Sequence, residues 1–252
     1  MINIHRTVGI IPARYASTRF PGKPLAQLGG MTMIERVYRQ AQKALDNVVV
    51  ATDDERIANA VQDFGGTCVM TSDTCRSGTD RCMEAYSLAK MSAEVVINIQ
   101  GDEPFVAPEQ ISALNELFDN EETEIATLVR PVTSDKGFDV ISDPNLVKVV
   151  IDKNMRAIYF SRSVIPYVRG VEQSRWPKSV QYYTHVGMYA YRAKILREIT
   201  QLPQSTLEIA ESLEQLRWVE NGYKIQVGIT EFPTIGIDTP EDLEAARLLL
   251  QG

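Results

Sequence analysis

An α/β fold, with a mostly parallel sheet covered by helices on both faces, is what this sequence predicts. Three observations carry the prediction. Short apolar runs alternate with stretches of helical spacing through the first half. The runs Val8-Gly9-Ile10-Ile11-Pro12, Val48-Val49-Val50 and Val95-Val96-Ile97-Asn98-Ile99 are nearly continuous, as strands buried on both faces are. The chain has 252 residues, 44% of them hydrophobic and 23% charged. At that length roughly 70% of the extended surface is buried on folding, enough for one substantial core.

Taken in order, residues 8–12 form the first strand, and a Gly/Pro-rich loop runs from Ala13 to Gly30. Met33, Ile34, Val37, Ala41 and Leu45 fall at helical spacing, and Val48–Val50 form a second strand. Ile57, Ala58, Val61 and Phe64 mark a second helix, ended by Gly65-Gly66. Cys68-Val69-Met70 is a short third strand, followed by a helix over 79–90 and a fourth strand over 95–99. The second half breaks the rhythm. Ala126–Val132 and Leu146–Ile151 read as strands, and Asp152-Lys153-Asn154 turns the latter back into Ala157–Phe160 as a hairpin. Residues 169–181 are polar without periodicity and read as a mobile surface loop. His185–Tyr191 alternates as a strand, and Leu213, Leu216 and Val219 mark an amphipathic helix. Tyr223–Ile229 is a further strand, and Pro240 opens a terminal helix capped by Thr239. The second half thus reads as an antiparallel insertion in the α/β core. The whole chain, 1–252, reads as a single domain with a subsidiary lobe at about 130–200.

Composition excludes disorder, collagenous repeats and a disulfide scaffold. No apolar run approaches the roughly 20 residues that span a bilayer, which argues against membrane insertion. The apolar stretch in MINIHRTVGIIPAR is shorter than the roughly 7–15 residues of a signal peptide, so a cytoplasmic protein is expected. A net charge of −7 makes sequence-independent binding to nucleic acid a poor prospect. Cys68, Cys75 and Cys82 match no zinc spacing, and their odd number argues for free thiols. Only His5 and His185 are available as imidazole ligands.

Three stretches carry chemistry. In Ile11–Pro24, Arg14, Arg19 and Lys23 stand on a loop leaving the carboxyl end of the first strand, where open α/β sheets bind ligands. Cations and free backbone amides there suit a polyphosphate; a solvated basic loop is the alternative, and spacing alone leaves both open. Pro24 after Gly22-Lys23 excludes a Walker A loop, and G-x-G-x-x-G is absent. Asn98–Pro104 ends a buried strand in Gln100-Gly101-Asp102, so Asp102 is either a turn residue or a carboxylate ligand for Mg²⁺ beside the phosphates. Asp238, in Thr234–Asp242, is either a second metal carboxylate or part of a helix cap.

The stretches IIPARYASTRFPGKPL, MTSDTCRSGTDR, INIQGDEPF, Phe160-Ser161-Arg162, HVGMYAYR, LEQLR and GIDTPEDLEAAR, in this order along nearly the whole chain, resemble the 3-deoxy-manno-octulosonate cytidylyltransferase (CMP-Kdo synthetase) family. The resemblance implies a nucleotide-diphospho-sugar-transferase-like, Rossmann-like sheet. It also implies a Mg²⁺-dependent reaction of CTP with Kdo, giving CMP-Kdo and diphosphate for lipopolysaccharide synthesis. By the family pattern Asp102 and Asp238 hold the Mg²⁺, and Arg14, Lys23 and Arg19 grip the triphosphate alongside Pro12 and Ala13. Ser77 and Gly78 fall where the family reads the base; Arg76 departs from the neutral residue expected there, and Cys75 is taken as a bystander. Gln100, Arg162, His185, Tyr189, Glu214 and Gln215 are nominated for the sugar, with Arg162 on its carboxylate. Without the family, His185 would read as a satisfied strand histidine, and Glu214 and Gln215 as a solvated helix face. The resemblance also implies a homodimer formed through the second half. A related acid, 8-amino-Kdo or a sialic acid, is the competing substrate, and a non-catalytic nucleotide or sugar sensor the competing class. A family-A-type glycosyltransferase would carry Asp-x-Asp where Gly101-Asp102-Glu103 stands.

Overall fold

The computed structural model describes residues 6–250, so His5 and the start of the stretch read for a leader lie outside it. β1 (Thr7–Ala13) leads through a loop and a small hairpin, β2 (Gln27–Leu28) and β3 (Met31–Thr32), into α1 (Met33–Gln42). The expected alternation follows: β4 (Val48–Thr52), α2 (Glu55–Asp63), β5 (Cys68–Met70), α3 (Gly78–Leu88) and β6 (Val95–Asn98). After α4 (Pro108–Glu116) come β7 (Ile125–Pro131), α5 (Phe138–Ser142), and the hairpin β8 (Lys148–Ile151) and β9 (Ala157–Ser161). α6 (Trp176–Ser179) precedes β10 (Tyr183–Arg192), then α7 (Ala193–Ile199), α8 (Thr206–Glu211) and α9 (Gln215–Glu220). β11 (Ile225–Ile229) and α10 (Pro240–Leu249) complete the fold. α4, α5, α7 and α8 have no counterpart among the elements expected from the sequence.

Local chemistry sets the helix ends. Thr32, Asp54, Ser77 and Thr239 cap α1, α2, α3 and α10, each side chain accepting a first-turn backbone N–H. Gly65 ends α2 in a left-handed conformation (φ 79°), and the Gly66 N–H returns to Val61 O at 2.8 Å.

The strands run in the order β5-β4-β1-β6-β10-β7-β11, with β8 against β10 and β9 against β8. β1 pairs in parallel with β4 and β6, β4 with β5, and β7 with β11. β10 alone in that order is antiparallel, to both β6 and β7. The antiparallel part of the second half is therefore β10 and the β8–β9 hairpin, whereas β7 and β11 extend the parallel sheet. Ile10 and Val96 face a core layer containing Trp218, and Ile11 and Ile97 face a second layer containing Val37 and Ile111.

Residues 169–181 correct the expectation of a mobile loop. They hold a short 3₁₀ turn and α6, and Trp176 is 3% exposed in a small apolar cluster with Val132, Ile141 and Tyr182. Its Nε1–H donates to Val171 O at 2.9 Å, and its ring meets those of Phe138 and Tyr167 edge-on. One large aromatic anchors a segment whose polarity and lack of period hide it from a pattern search. Trp176→Ala is expected to lower unfolding free energy by about 3 kcal/mol in urea titration. An unchanged midpoint would mean that the segment is not packed.

Candidate active site

At the carboxyl ends of β1 and β6 lies a cleft of about 300 Å³. Pro12, Ala13, Arg14, Arg19, Lys23, Ser77, Gly78, Gln100, Asp102 and Asp238 all line it. The loop after β1 is folded back by Gly22, which takes a left-handed φ of 71° and donates its N–H to Tyr15 O at 2.9 Å. The Tyr15 ring is in turn covered by the Arg56 guanidinium, 3.3 Å from its centroid. Gly101 lets the two rims approach, since a Cβ there would meet Pro12 O at 2.9 Å.

The basic loop is not simply solvated. Lys23, its side chain only 13% exposed, reaches Asp102 Oδ2 at 2.8 Å and Asp238 Oδ1 at 3.1 Å. Arg19 meets Asp238 Oδ2 at 3.0 Å, and Arg14 lies exposed at the rim. The backbone brings the carboxylates together as well, because Ile237 N–H donates to Asp102 O at 2.9 Å. Asp238 is fixed from behind: its own N–H, and that of Thr239, donate to Asp242 at 3.0 and 2.9 Å. Asp238 is therefore held at the start of α10 while its carboxylate faces the cleft.

These oxygens fit a divalent cation. Two carboxylates from different segments converge on one positive centre, the Lys23 ammonium, and a hard oxygen pair beside a basic loop suits Mg²⁺. Among the described residues no group of three His, Cys, Asp or Glu side chains forms an all-protein metal cage. The donor set is that of an ion completed by phosphate oxygens and water. Neighbouring Glu103 is a carboxyl that burial, with the Asp102 charge adding, pushes up to about 7.

Sequence reasoning left out Ser17 and Arg81, which also line the cleft, and gave no role to Cys75 and Arg76, which do too. Arg81 is buried and salt-bridged to Asp53 at 2.9 Å. Its signal was its place in SGTDR, one turn into α3 from Gly78.

Of the residues nominated for the sugar, Gln100 lines the cleft and Arg162, His185, Tyr189, Glu214 and Gln215 do not. Gln215 is 4% exposed, and Glu214 accepts from the Thr79 hydroxyl, so neither lies on a solvated helix face. Burial raises the Glu214 carboxyl above its usual range. Tyr189 packs against Trp218 and His185. Tyr189 Oη, Gln215 Nε2 and Asn98 Oδ1 are buried without a hydrogen-bond partner among the described residues, which marks this layer as polar and unsatisfied. Arg162 is not brought to the cleft. Its guanidinium donates to the carbonyls of Glu211 (2.7 Å), Pro144 (3.0 Å) and Ser212 (3.4 Å).

A mostly parallel sheet with a basic loop and converging carboxylates at its carboxyl edge is the layout of a nucleotidyltransferase. The cytidylyltransferase family profile matches residues 8–225, and the chain belongs to that family. Within it the chain falls among the 3-deoxy-manno-octulosonate cytidylyltransferases. It is 62% identical to the enzyme of that name from Parabacteroides distasonis, over 96% of this chain and 97% of the other. To that from Phocaeicola vulgatus it is 59% identical, over 97% of each. A solved structure of CMP:2-keto-3-deoxy-manno-octonic acid synthetase complexed with CTP superposes with a TM-score of 0.89 at 41% identity, covering 98% of both chains. A 4-diphosphocytidyl-2C-methyl-D-erythritol synthase from Anaerococcus prevotii, 17% identical, shares the fold with a TM-score of 0.60 over 98% of both chains.

His185 gives this layer a measurable signature. Nε2 lies 2.9 Å from Thr127 Oγ1, whose hydroxyl proton goes to Met188 O at 2.8 Å, so Nε2 carries the hydrogen and Nδ1 the lone pair. Burial pushes the imidazole down to about 3. Below pH 6.5 the unfolded chain gains a proton there that the folded chain does not, so stability falls as pH drops from 6.5 towards 3, by up to about 1.4 kcal/mol per pH unit. His185→Gln keeps an N–H for Thr127 and removes the titration. Between pH 7 and 5 the wild type is expected to lose up to about 2 kcal/mol more than the variant in urea titrations.

Proposed function

We propose that this chain joins CTP to 3-deoxy-D-manno-octulosonate, giving CMP-Kdo and diphosphate and so supplying lipopolysaccharide biosynthesis. The observation that carries the reading is the pair Asp102 and Asp238 drawn onto one cation at the rim of a cleft lined by Arg14, Arg19 and Lys23. The C2 hydroxyl of the sugar acid attacks the α-phosphorus in line and diphosphate leaves. Both substrates are anions, so alignment and charge compensation dominate the barrier.

Arg14, Arg19 and Lys23 bind the triphosphate, aided by the backbone at Pro12 and Ala13. Lys23, already between the two carboxylates, is within reach of a phosphate set there. Asp102 and Asp238 would hold Mg²⁺, which when bound offsets charge on the α-phosphate and acidifies the attacking hydroxyl. Ser77 and Gly78 read cytosine, whose amine and acceptor pattern differs from that of uracil. Gln100, His185, Tyr189, Glu214 and Gln215 take the sugar hydroxyls, and the buried unpaired atoms of Tyr189 and Gln215 support this. Arg162 reaches the sugar carboxylate only by giving up its carbonyl partners. A neutral His185 acts as a hydrogen-bonding group and not as the base.

The whole chain works as one domain. The lobe at about 130–200 completes the sugar side and supplies the surface of a homodimer, on which the exposed Ile158 and Tyr167 bear. Light scattering at working concentration is expected to give twice the 28.2 kDa chain mass, and a monomer mass would remove the dimer. No helix among the described residues is long and apolar enough to cross a membrane. Cys68, Cys75 and Cys82 are all free, which fits a reducing cytoplasm.

Diphosphate release with CTP, Mg²⁺ and Kdo tests the reaction, run beside 8-amino-Kdo and a sialic acid. Turnover is expected with Kdo, and Asp102→Asn or Asp238→Asn should each lower it by roughly a thousandfold with the fold intact. Near-normal turnover with unchanged Mg²⁺ dependence would remove the carboxylate assignment. CTP binding without release from any of the acids would make the protein a sensor.

A further inference from the structure

The segment between β5 and α3 is gripped by two charged residues of α3, Arg81 at the cleft and Glu84 behind it. Arg81 donates from Nη1 to Thr71 Oγ1 at 2.6 Å and to Ser72 O at 3.4 Å, and from Nη2 to Asp53 at 2.9 Å. Three residues further along α3, Glu84 takes the other side. Its Oε1 accepts from Ser72 N–H at 2.9 Å and its Oε2 from the Cys75 thiol at 2.7 Å. Ser72 is thus held through both its N–H and its carbonyl, with Thr71 and Cys75 tied on either side. The segment ends in Ser77, whose hydroxyl caps α3 by accepting from Asp80 N–H at 3.1 Å. Cys75, Ser77, Gly78 and Arg81 line the cleft, whereas Glu84 is not among the residues that do.

A surface that separates cytosine from uracil must hold its donors and acceptors to a fraction of an ångström, because the penalty for the wrong base comes from partners left unpaired. A free seven-residue segment would have to be ordered by the nucleotide, at the expense of affinity. Here α3 orders it in advance. The thiol is a dependable donor: burial, with the hydrogen bond and charge of Glu84 adding, pushes Cys75 up to about 12. It stays protonated at neutral pH, so it donates to the carboxylate and does not repel it.

We propose that Glu84 is a positioning residue for nucleobase selection, fixing through Ser72 and Cys75 the segment against which the base is read. The proposal rests on the assignment of the base site to Ser77 and Gly78. It is tested by steady-state kinetics of Glu84→Ala with CTP and with UTP. Loss of two hydrogen bonds to a charged acceptor is expected to raise KM for CTP about tenfold and to shrink the preference for CTP over UTP by a similar factor. kcat at saturating CTP and KM for Kdo stay within about twofold of wild type, as positioning of the base alone implies. Cys75, relieved of the carboxylate, should react faster with a thiol reagent at pH 8, and CTP should protect it.

If Glu84→Ala does not fold, Cys75→Ala and Cys75→Ser supply the same contrast, since only serine keeps a donor for Glu84. Alanine is expected to loosen selection and serine to restore it. Unchanged KM and preference in Glu84→Ala or in Cys75→Ala overturns the proposal. So does a parallel loss in kcat and in KM for both substrates, which would mark Glu84 as a support of the whole fold. A wild-type enzyme that does not prefer CTP overturns instead the underlying reading of the base site.

Discussion

Two carboxylates brought to one rim repel each other, and the segments around the cleft are arranged to set a cation between them. Asp102 ends the β6 segment and Asp238 opens α10, so they are far apart in the chain. Lys23 Nζ, 2.8 and 3.1 Å from them, makes the pair tolerable, and the backbone bond from Ile237 to Asp102 fixes the distance. The requirement spreads outward. Ile237 is buried with Leu28, Met33 and Leu243, so the small β2–β3 hairpin and α10 hold the Asp238 side of the rim. Gly22 and the Arg56–Tyr15 stack shape the loop that delivers Lys23. The arrangement thus holds two carboxylates at one rim with a single ammonium between them.

Behind this charged rim the electrostatics change character. His185, Tyr189 and Tyr191 are kept neutral by burial, and the Glu214 carboxyl is raised for the same reason. A strong ion pair nearby, Glu208 with Arg217, is doubly hydrogen-bonded and nearly dry, and it braces α8 against α9. The loops thus concentrate fixed charge, whereas the sheet floor and the braced helix pair present oriented neutral donors and acceptors.

How much of this could be read from the chain depended on the kind of signal. Continuous apolar runs such as Val48–Val50 and Val95–Ile99 announced parallel strands, and the Thr239-Pro240 cap announced α10, because both are local statements. The cleft residues from Pro12 to Lys23, with Asp102 and Asp238, were legible through motif order, and they lie in one cleft. Trp176 was not legible: its partners Val132, Ile141 and Tyr182 are distant or sit in polar surroundings, and no period links them. Arg162 is different in kind: only the family resemblance nominates it for the sugar carboxylate, and its donors are engaged by the backbone carbonyls of Glu211, Pro144 and Ser212. Glu84 gave no signal at all, because a partly buried helix residue that accepts from a loop resembles any other.

The reversed strand explains how residues from the second half reach a rim built by the first. Parallel strands present their carboxyl ends at one edge, so β1 and β6 deliver their following loops there and nothing before their starts. A strand running the other way offers its amino-terminal residues to the same edge. β10 does this: Tyr189 lies opposite Asn98, the last residue of β6, and His185 lies four residues nearer the rim end. The register of β10 against β7 slips between Val186 and Tyr189, and Thr127 meets the irregularity by donating to the carbonyls of Val186 and Met188 while it orients His185. One antiparallel strand in a parallel sheet is thus the means by which a cleft built chiefly from the loops after β1 and β6 gains a neighbouring polar layer from the second half.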